Sequence, residues 1–194
     1  MSDAAKLDTL SPAHGSGIRW WPTLIGLAFA LAVGLGVGGG FPAIVLVCAV
    51  IYLFAAVTAR PGMAWLGFLV TSPAVAVGPL LDAEWLSLSI IGALGLVLVV
   101  IGLVRGTWNT PANRVQLLGV VVFGAVALGA YVVQPVLAGI LIAVGLVAHA
   151  VWDIVHHRRN AVVSRTYAEF CAVLDLTLAV VVVLLTTGLA TSLL

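Results

Sequence analysis

The chain has 194 residues, of which 63% are hydrophobic and only 8% charged, with a formal net charge of +1, whereas soluble domains carry roughly 25% charged residues. A soluble fold of this size would lack the polar side chains to cover itself, and there is no basic surface of the kind that follows a nucleic-acid backbone. The composition fits an all-α integral membrane protein in contact with the lipid bilayer, because apolar runs of about 20 residues, each enough to cross a hydrocarbon core of about 30 Å, nearly fill the chain.

Residues 1–18 are polar, mixed in charge and rich in small side chains, which reads as a disordered cytoplasmic tail. Residues 19–194 read as a single seven-helix transmembrane domain. The first apolar run has no convincing cleavage site and leads directly into a second, so it reads as a retained span and not a signal peptide. Spans are expected at about 20–38, 41–59, 63–81, 85–104, 114–133, 136–157 and 167–190. Gly38-Gly39-Gly40 supplies the first turn, and Pro42 and Pro135 each suit the first turn of a new helix. Cys48 lies in the second span and Cys171 in the seventh, near opposite faces by this placement, so a disulfide between them is not expected. Pro73 and Pro79 bend the third span, with Thr71 or Ser72 positioned to satisfy freed carbonyls. Gly92, Gly95, Gly119, Gly124 and Gly129 read as close-packing positions between helices. Seven spans with Pro42 and Pro135 in matching places suggest a 3+1+3 organisation, two three-helix units around a linker helix.

Charge sets the direction. With the N-terminus in the cytoplasm and the C-terminus periplasmic or extracellular, all eight basic residues (Lys6, Arg19, Arg60, Arg105, Arg114, Arg158, Arg159 and Arg165) become cytoplasmic, and Asp82 and Glu84 fall on the opposite side. Trp20, Trp21, Trp85 and Tyr167 lie at span ends, where amphipathic rings anchor at the headgroups. Compact loops and Ala/Val/Gly/Leu-rich helices read as a bacterial multi-pass protein of the cell (inner) membrane.

Most spans are chemically bland, and the exception is Gly145 to Thr177. At about 100° per residue, His149, Asp153 and His156 form one stripe on the sixth span, with Trp152 beside them. The seventh span returns antiparallel, which brings Asp175 to the level of His149 and Cys171 level with Asp153 or slightly below. Ionisable groups at this depth cost several kcal/mol unless paired or used, and imidazole with carboxylate at helical spacing suits a divalent ion of zinc, iron or manganese. The candidate ligands are His149, Asp153, His156 and Asp175, with Cys171 and His157 in second place. His149 and His156 are about 10 Å apart along the helix, so a single ion uses His149, Asp153 and Asp175, and His156 serves only a second, outer ion. The bland alternatives are a hydrogen-bonded network that locks the last two spans together, and a basic His-His-Arg-Arg helix end favoured by the dipole and the cytoplasmic leaflet. Glu169 lies near the interface and reads as a solvated side chain.

Seven spans carrying intramembrane His and Asp resemble the zinc-dependent membrane hydrolases of the alkaline ceramidase and adiponectin receptor type, in span count and ligand type alone. That group spreads its ligands over early and late helices with a serine near the metal, whereas the candidates here lie on spans six and seven. No span contains the lysine that a retinal-binding rhodopsin needs. Three functions stay open: a metal site facing the cytoplasm that hydrolyses a lipid or other amphipathic substrate, a small cation- or proton-coupled transporter, and an accessory or scaffold subunit with a purely structural polar network.

Overall fold

A computed structural model describes residues 20–36 and 41–188, and the N-terminal tail and the Gly38-Gly39-Gly40 turn lie outside the described residues. Apolar runs bounded by proline and glycine become seven α-helices: α1 (Trp21–Gly36), α2 (Phe41–Thr58), α3 (Met63–Leu80), α4 (Glu84–Val104), α5 (Pro111–Val132), α6 (Pro135–Arg159) and α7 (Arg165–Thr186). The six helices α2 to α7 are each long and apolar enough to cross a membrane, and α1 is a shorter apolar helix of 16 residues. The chain is therefore a multi-pass helical bundle whose exposed side chains, such as Leu69, Val104, Val121 and Val132, are apolar as contact with lipid requires.

Helix starts follow local chemistry. Thr110 and Gln134 accept backbone N–H bonds ahead of Pro111 and Pro135 at the first helical position, and Ser164 caps α7 by accepting from Tyr167 N–H at 3.3 Å. The α6 helix ends on Asn160 in the left-handed conformation, φ 49° and ψ 48°.

Helix α2 is the axis of the bundle. In it 78% of residues are buried, against 28% in each of α3, α4 and α5, because α3, α4, α5 and α6 all pack around it. Helix α7 packs on α6, and α1 packs mainly on α7 and far less on its neighbour in sequence. Close approach there depends on Gly26, where a Cβ would stand 2.6 Å from the Phe170 carbonyl oxygen. Gly145 does the same service for α6, since a Cβ would meet Val126 at 2.9 Å and Val45 at 3.2 Å. Of the glycines expected to mediate packing, Gly95 and Gly119 lie tight against Val50 and Trp152, Gly124 and Gly129 have ordinary clearance, and Gly92 faces open space.

The basic loops share one end. Ser164 N–H donates to the Pro61 carbonyl at 3.1 Å and the Arg105 guanidinium reaches the Val57 carbonyl at 3.5 Å, so the loops carrying Arg60, Arg105 and Arg158 to Arg165 are neighbours. Over the same end a short 3-10 turn, Thr107–Asn109, folds Trp108 onto α4, where its indole N–H donates to the Val99 carbonyl at 3.0 Å.

The carbonyl freed by Pro79 finds its partner in a different place from that expected. Thr71 bonds the Gly67 carbonyl of its own helix at 2.8 Å. It is Ser87 of α4 that repairs α3, donating to the Val75 carbonyl at 2.9 Å, four residues before Pro79, and accepting the Gly78 N–H at 2.7 Å. A hydroxyl with one donor and two lone pairs can do both. Ser87→Ala is expected to lower unfolding stability by about 1–3 kcal/mol, read as a drop in the thermal midpoint of the detergent-solubilised protein, whereas Ser89→Ala changes it little.

Candidate functional site

Three helices meet in register. Counted from the basic end, which is Thr58 in α2, Arg159 in α6 and Arg165 in α7, the residues ten positions in are Cys48, His149 and Asp175, and those six positions in are Tyr52, Asp153 and Cys171. At 1.5 Å of rise these form two layers about 15 Å and about 9 Å below that end. Each helix thus contributes one i, i+4 pair on its inward face.

The layers are joined by short polar contacts. His149 Nδ1 lies 2.8 Å from Asp175 Oδ2 and 3.3 Å from Asp153 Oδ2, so two carboxylates converge on one edge of one imidazole. A proton lies between His149 and Asp175, donated by the ring N–H to a carboxylate or by a carboxyl to the ring nitrogen. Tyr52 O–H donates to Asp153 Oδ1 at 2.5 Å, and the Cys48 thiol donates weakly to Asp175 Oδ1 at 3.7 Å. His149, Asp153 and Asp175 are each 0% exposed. Among the described residues, His149 Nε2 and Asp153 Oδ2 have no hydrogen-bond partner, although buried polar atoms in proteins are nearly always paired. Aromatic rings complete the walls, with Tyr52 and Phe123 edge-on to His149 at 5.5 and 4.9 Å.

His149, Asp153 and Asp175 are brought together as the helical spacing implies, and one ligand atom each from Cys48, His149 and Asp175 lies within 4.8 Å of the others. His156 stands apart, since its Nδ1 donates to the Trp152 carbonyl at 2.8 Å and its Nε2 accepts from the Gln116 amide at 3.1 Å. Both ring nitrogens are spent, and the ring stacks on Trp152 at 5.2 Å. His157 is half-exposed beyond it. The cluster does not open toward the basic end: Tyr52, the Trp152–His156 stack and the buried Gln116 close it there.

Five residues take roles that sequence reasoning did not assign. Cys48 is not near the opposite face, because α2 enters from the acidic end and has covered almost half its length by that point; Cys48 and Cys171 are both free and buried. Tyr52 supplies the hydroxyl of the lower layer, and Gln116 of α5 orients His156. Tyr167 is no interfacial anchor, being 0% exposed and packed edge-on against Trp65 at 5.2 Å; Trp20, Trp21 and Trp85 are exposed as anchors would be. Glu169 is fixed by Thr23, whose hydroxyl donates to it at 2.6 Å. Cys48 and Tyr52 form an i, i+4 pair at the depths of His149 and Asp153, but that spacing alone does not place α2 beside them.

Comparison of the chain with family models, curated proteins and solved structures found no match in any of the three. The site is therefore interpreted from its own chemistry.

Removing one partner of a buried polar pair strands the other. His149→Ala and Asp175→Ala are each expected to destabilise the protein by about 3–5 kcal/mol, and the double variant by less than the sum of the two by about 1–3 kcal/mol. Denaturation of the four proteins in one detergent measures this; simple additivity would contradict the coupling.

Proposed function

We propose that this chain is a multi-pass protein of a bacterial cell (inner) membrane, with its basic end in the cytoplasm, that holds a divalent metal ion between α2, α6 and α7 and hydrolyses a lipid-like substrate. Residues 19–194 form the membrane domain in this reading, and α1 is its seventh span. The observation that carries the proposal is the convergence of Asp153 and Asp175 on His149 in a core where no Lys or Arg compensates them, since the described arginines lie at the helix ends and loops. Two carboxylates, one neutral imidazole and one divalent cation sum to zero charge, which is what a low-dielectric interior favours.

The donor set fits such an ion. Tetrahedral zinc with ligands at 2.0–2.3 Å separates neighbouring donor atoms by about 3.4 Å, and His149 Nδ1 lies 3.3 Å from Asp153 Oδ2 and, more tightly, 2.8 Å from Asp175 Oδ2. His149, Asp153 and Asp175 would hold the ion and leave its fourth position to water, with the Cys48 thiol beside Asp175. One imidazole and two carboxylates suit zinc, iron or manganese.

A bound divalent ion supplies a water that ionises near neutral pH. Asp153 or Asp175, the two carboxylates at the ion, would move its proton. A lipid-like substrate is favoured over a water-soluble one because the cluster is closed at the basic end and the bundle is surrounded by apolar side chains. A transporter needs a site reachable from both sides, and the complete burial of these groups does not favour it.

The short Tyr52–Asp153 and His149–Asp175 bonds also support a second reading, a network that only ties α2, α6 and α7 together. Elemental analysis of protein purified in detergent without chelators separates the two. About one divalent ion per chain is expected, lost in Asp153→Asn and Asp175→Asn and retained in His156→Ala. Folded, metal-free wild-type protein would leave the structural network standing.

A further inference from the structure

On the far side of Cys48 and Cys171 from the carboxylates lies a partly enclosed cavity of about 160 Å³ between α1, α2, α3 and α7. Its walls are almost entirely apolar, with Phe29, Phe68 and Leu178 among them. Four of its lining residues carry a polar side-chain atom: Cys48, Ser72, Tyr167 and Cys171. The Tyr167 hydroxyl is fully buried and lies beside the Cys171 thiol, a weak acceptor, without a hydrogen bond of good geometry to it. A buried phenol without a good acceptor costs about 1–3 kcal/mol, which a stronger acceptor arriving in the cavity would recover.

We infer that this cavity binds an acyl ester drawn from the bilayer, with part of its chain in the apolar volume and its carbonyl oxygen accepting from Tyr167. The volume matches that of a dry cavity able to take a benzene-sized guest, which is enough for about six carbons; the remainder of the chain stays in lipid. The facing groups bear on the other end of the guest. Tyr167 and Cys171 carry donors, and the Cys48 proton is already given to Asp175, so the occupant must bring an acceptor. Asp175 stands directly behind Cys48, so a free fatty-acid carboxylate would be repelled and a neutral ester would not. The inference names a substrate class for the proposed hydrolase, but the binding itself does not depend on the metal.

The test uses methyl parinarate, a fluorescent acyl ester, with energy transfer from the tryptophans of the full chain in lipid nanodiscs, and the corresponding tetraene hydrocarbon as control. Wild-type protein should show saturable transfer with the ester. Tyr167→Phe, which keeps the ring and removes the donor, should weaken the ester about five- to tenfold, the size of one buried hydrogen bond, and leave the hydrocarbon unchanged. Ala76→Phe, which fills the cavity from α3, should abolish saturable binding of both. Thermal midpoints of the variants confirm that they fold. Absence of saturable binding to wild type, or undiminished binding to folded Ala76→Phe, would overturn the site; equal ester affinity in Tyr167→Phe would overturn the carbonyl contact. Elemental analysis of the same samples keeps the two proposals apart, because a metal-free wild type that still binds the ester refutes only the metal.

Discussion

An ionised carboxylate in hydrocarbon costs several kcal/mol unless something compensates it, and this bundle places two within reach of the same imidazole edge. That constraint explains why α2 sits at the centre although it carries no charged residue. Asp153 and Asp175 cannot face lipid, so α6 and α7 must turn them toward a helix that can meet them with polar atoms. Helix α2 does so with Tyr52 and Cys48 and is otherwise apolar enough to be surrounded. The α5 helix contributes at one remove, through the Gln116 amide that fixes His156 against Trp152.

The division of labour between polar and apolar packing is clear elsewhere in the bundle. Where helices only need to touch, glycine removes the side chain, as at Gly26 against Phe170 and Gly145 against Val126. Where the backbone is broken, a neighbour repairs it, as Ser87 does for the turn interrupted by Pro79. These are the two means available in a medium that offers neither water nor a hydrophobic driving force between helices.

Much of this was legible in the sequence, and the remainder failed for identifiable reasons. Helix boundaries fall close to those expected because long apolar runs leave little choice of period and proline marks the starts of α5 and α6. The pairing of His149 with Asp175 could be counted from a short loop between antiparallel neighbours. Cys48 and Tyr52 could not, because their partners are about 100 residues away and nothing local says which of the earlier helices occupies the centre; that is decided by how seven cylinders share space. Tyr167 misled for a related reason, since a tyrosine near a helix end looks the same whether α1 and α3 cover it or lipid does. His156 lies on the right stripe of α6, but three residues of helix carry it below the cluster, where Gln116 and the Trp152 carbonyl claim both nitrogens.

The two polar layers are counted from a single end of the molecule. Ten and six positions separate them from that end in all three helices, so an inserted residue between Tyr52 and Thr58, or between Asp153 and Arg159, swings a ligand by about 100° out of its layer. The opposite end bears no such count. Whole turns could be gained or lost near Phe41, Pro135 or Thr186 without moving a polar atom of the cluster. The bundle therefore has one invariant rim and one adjustable rim, and a protein built this way can be fitted to bilayers of different thickness by editing the acidic side alone.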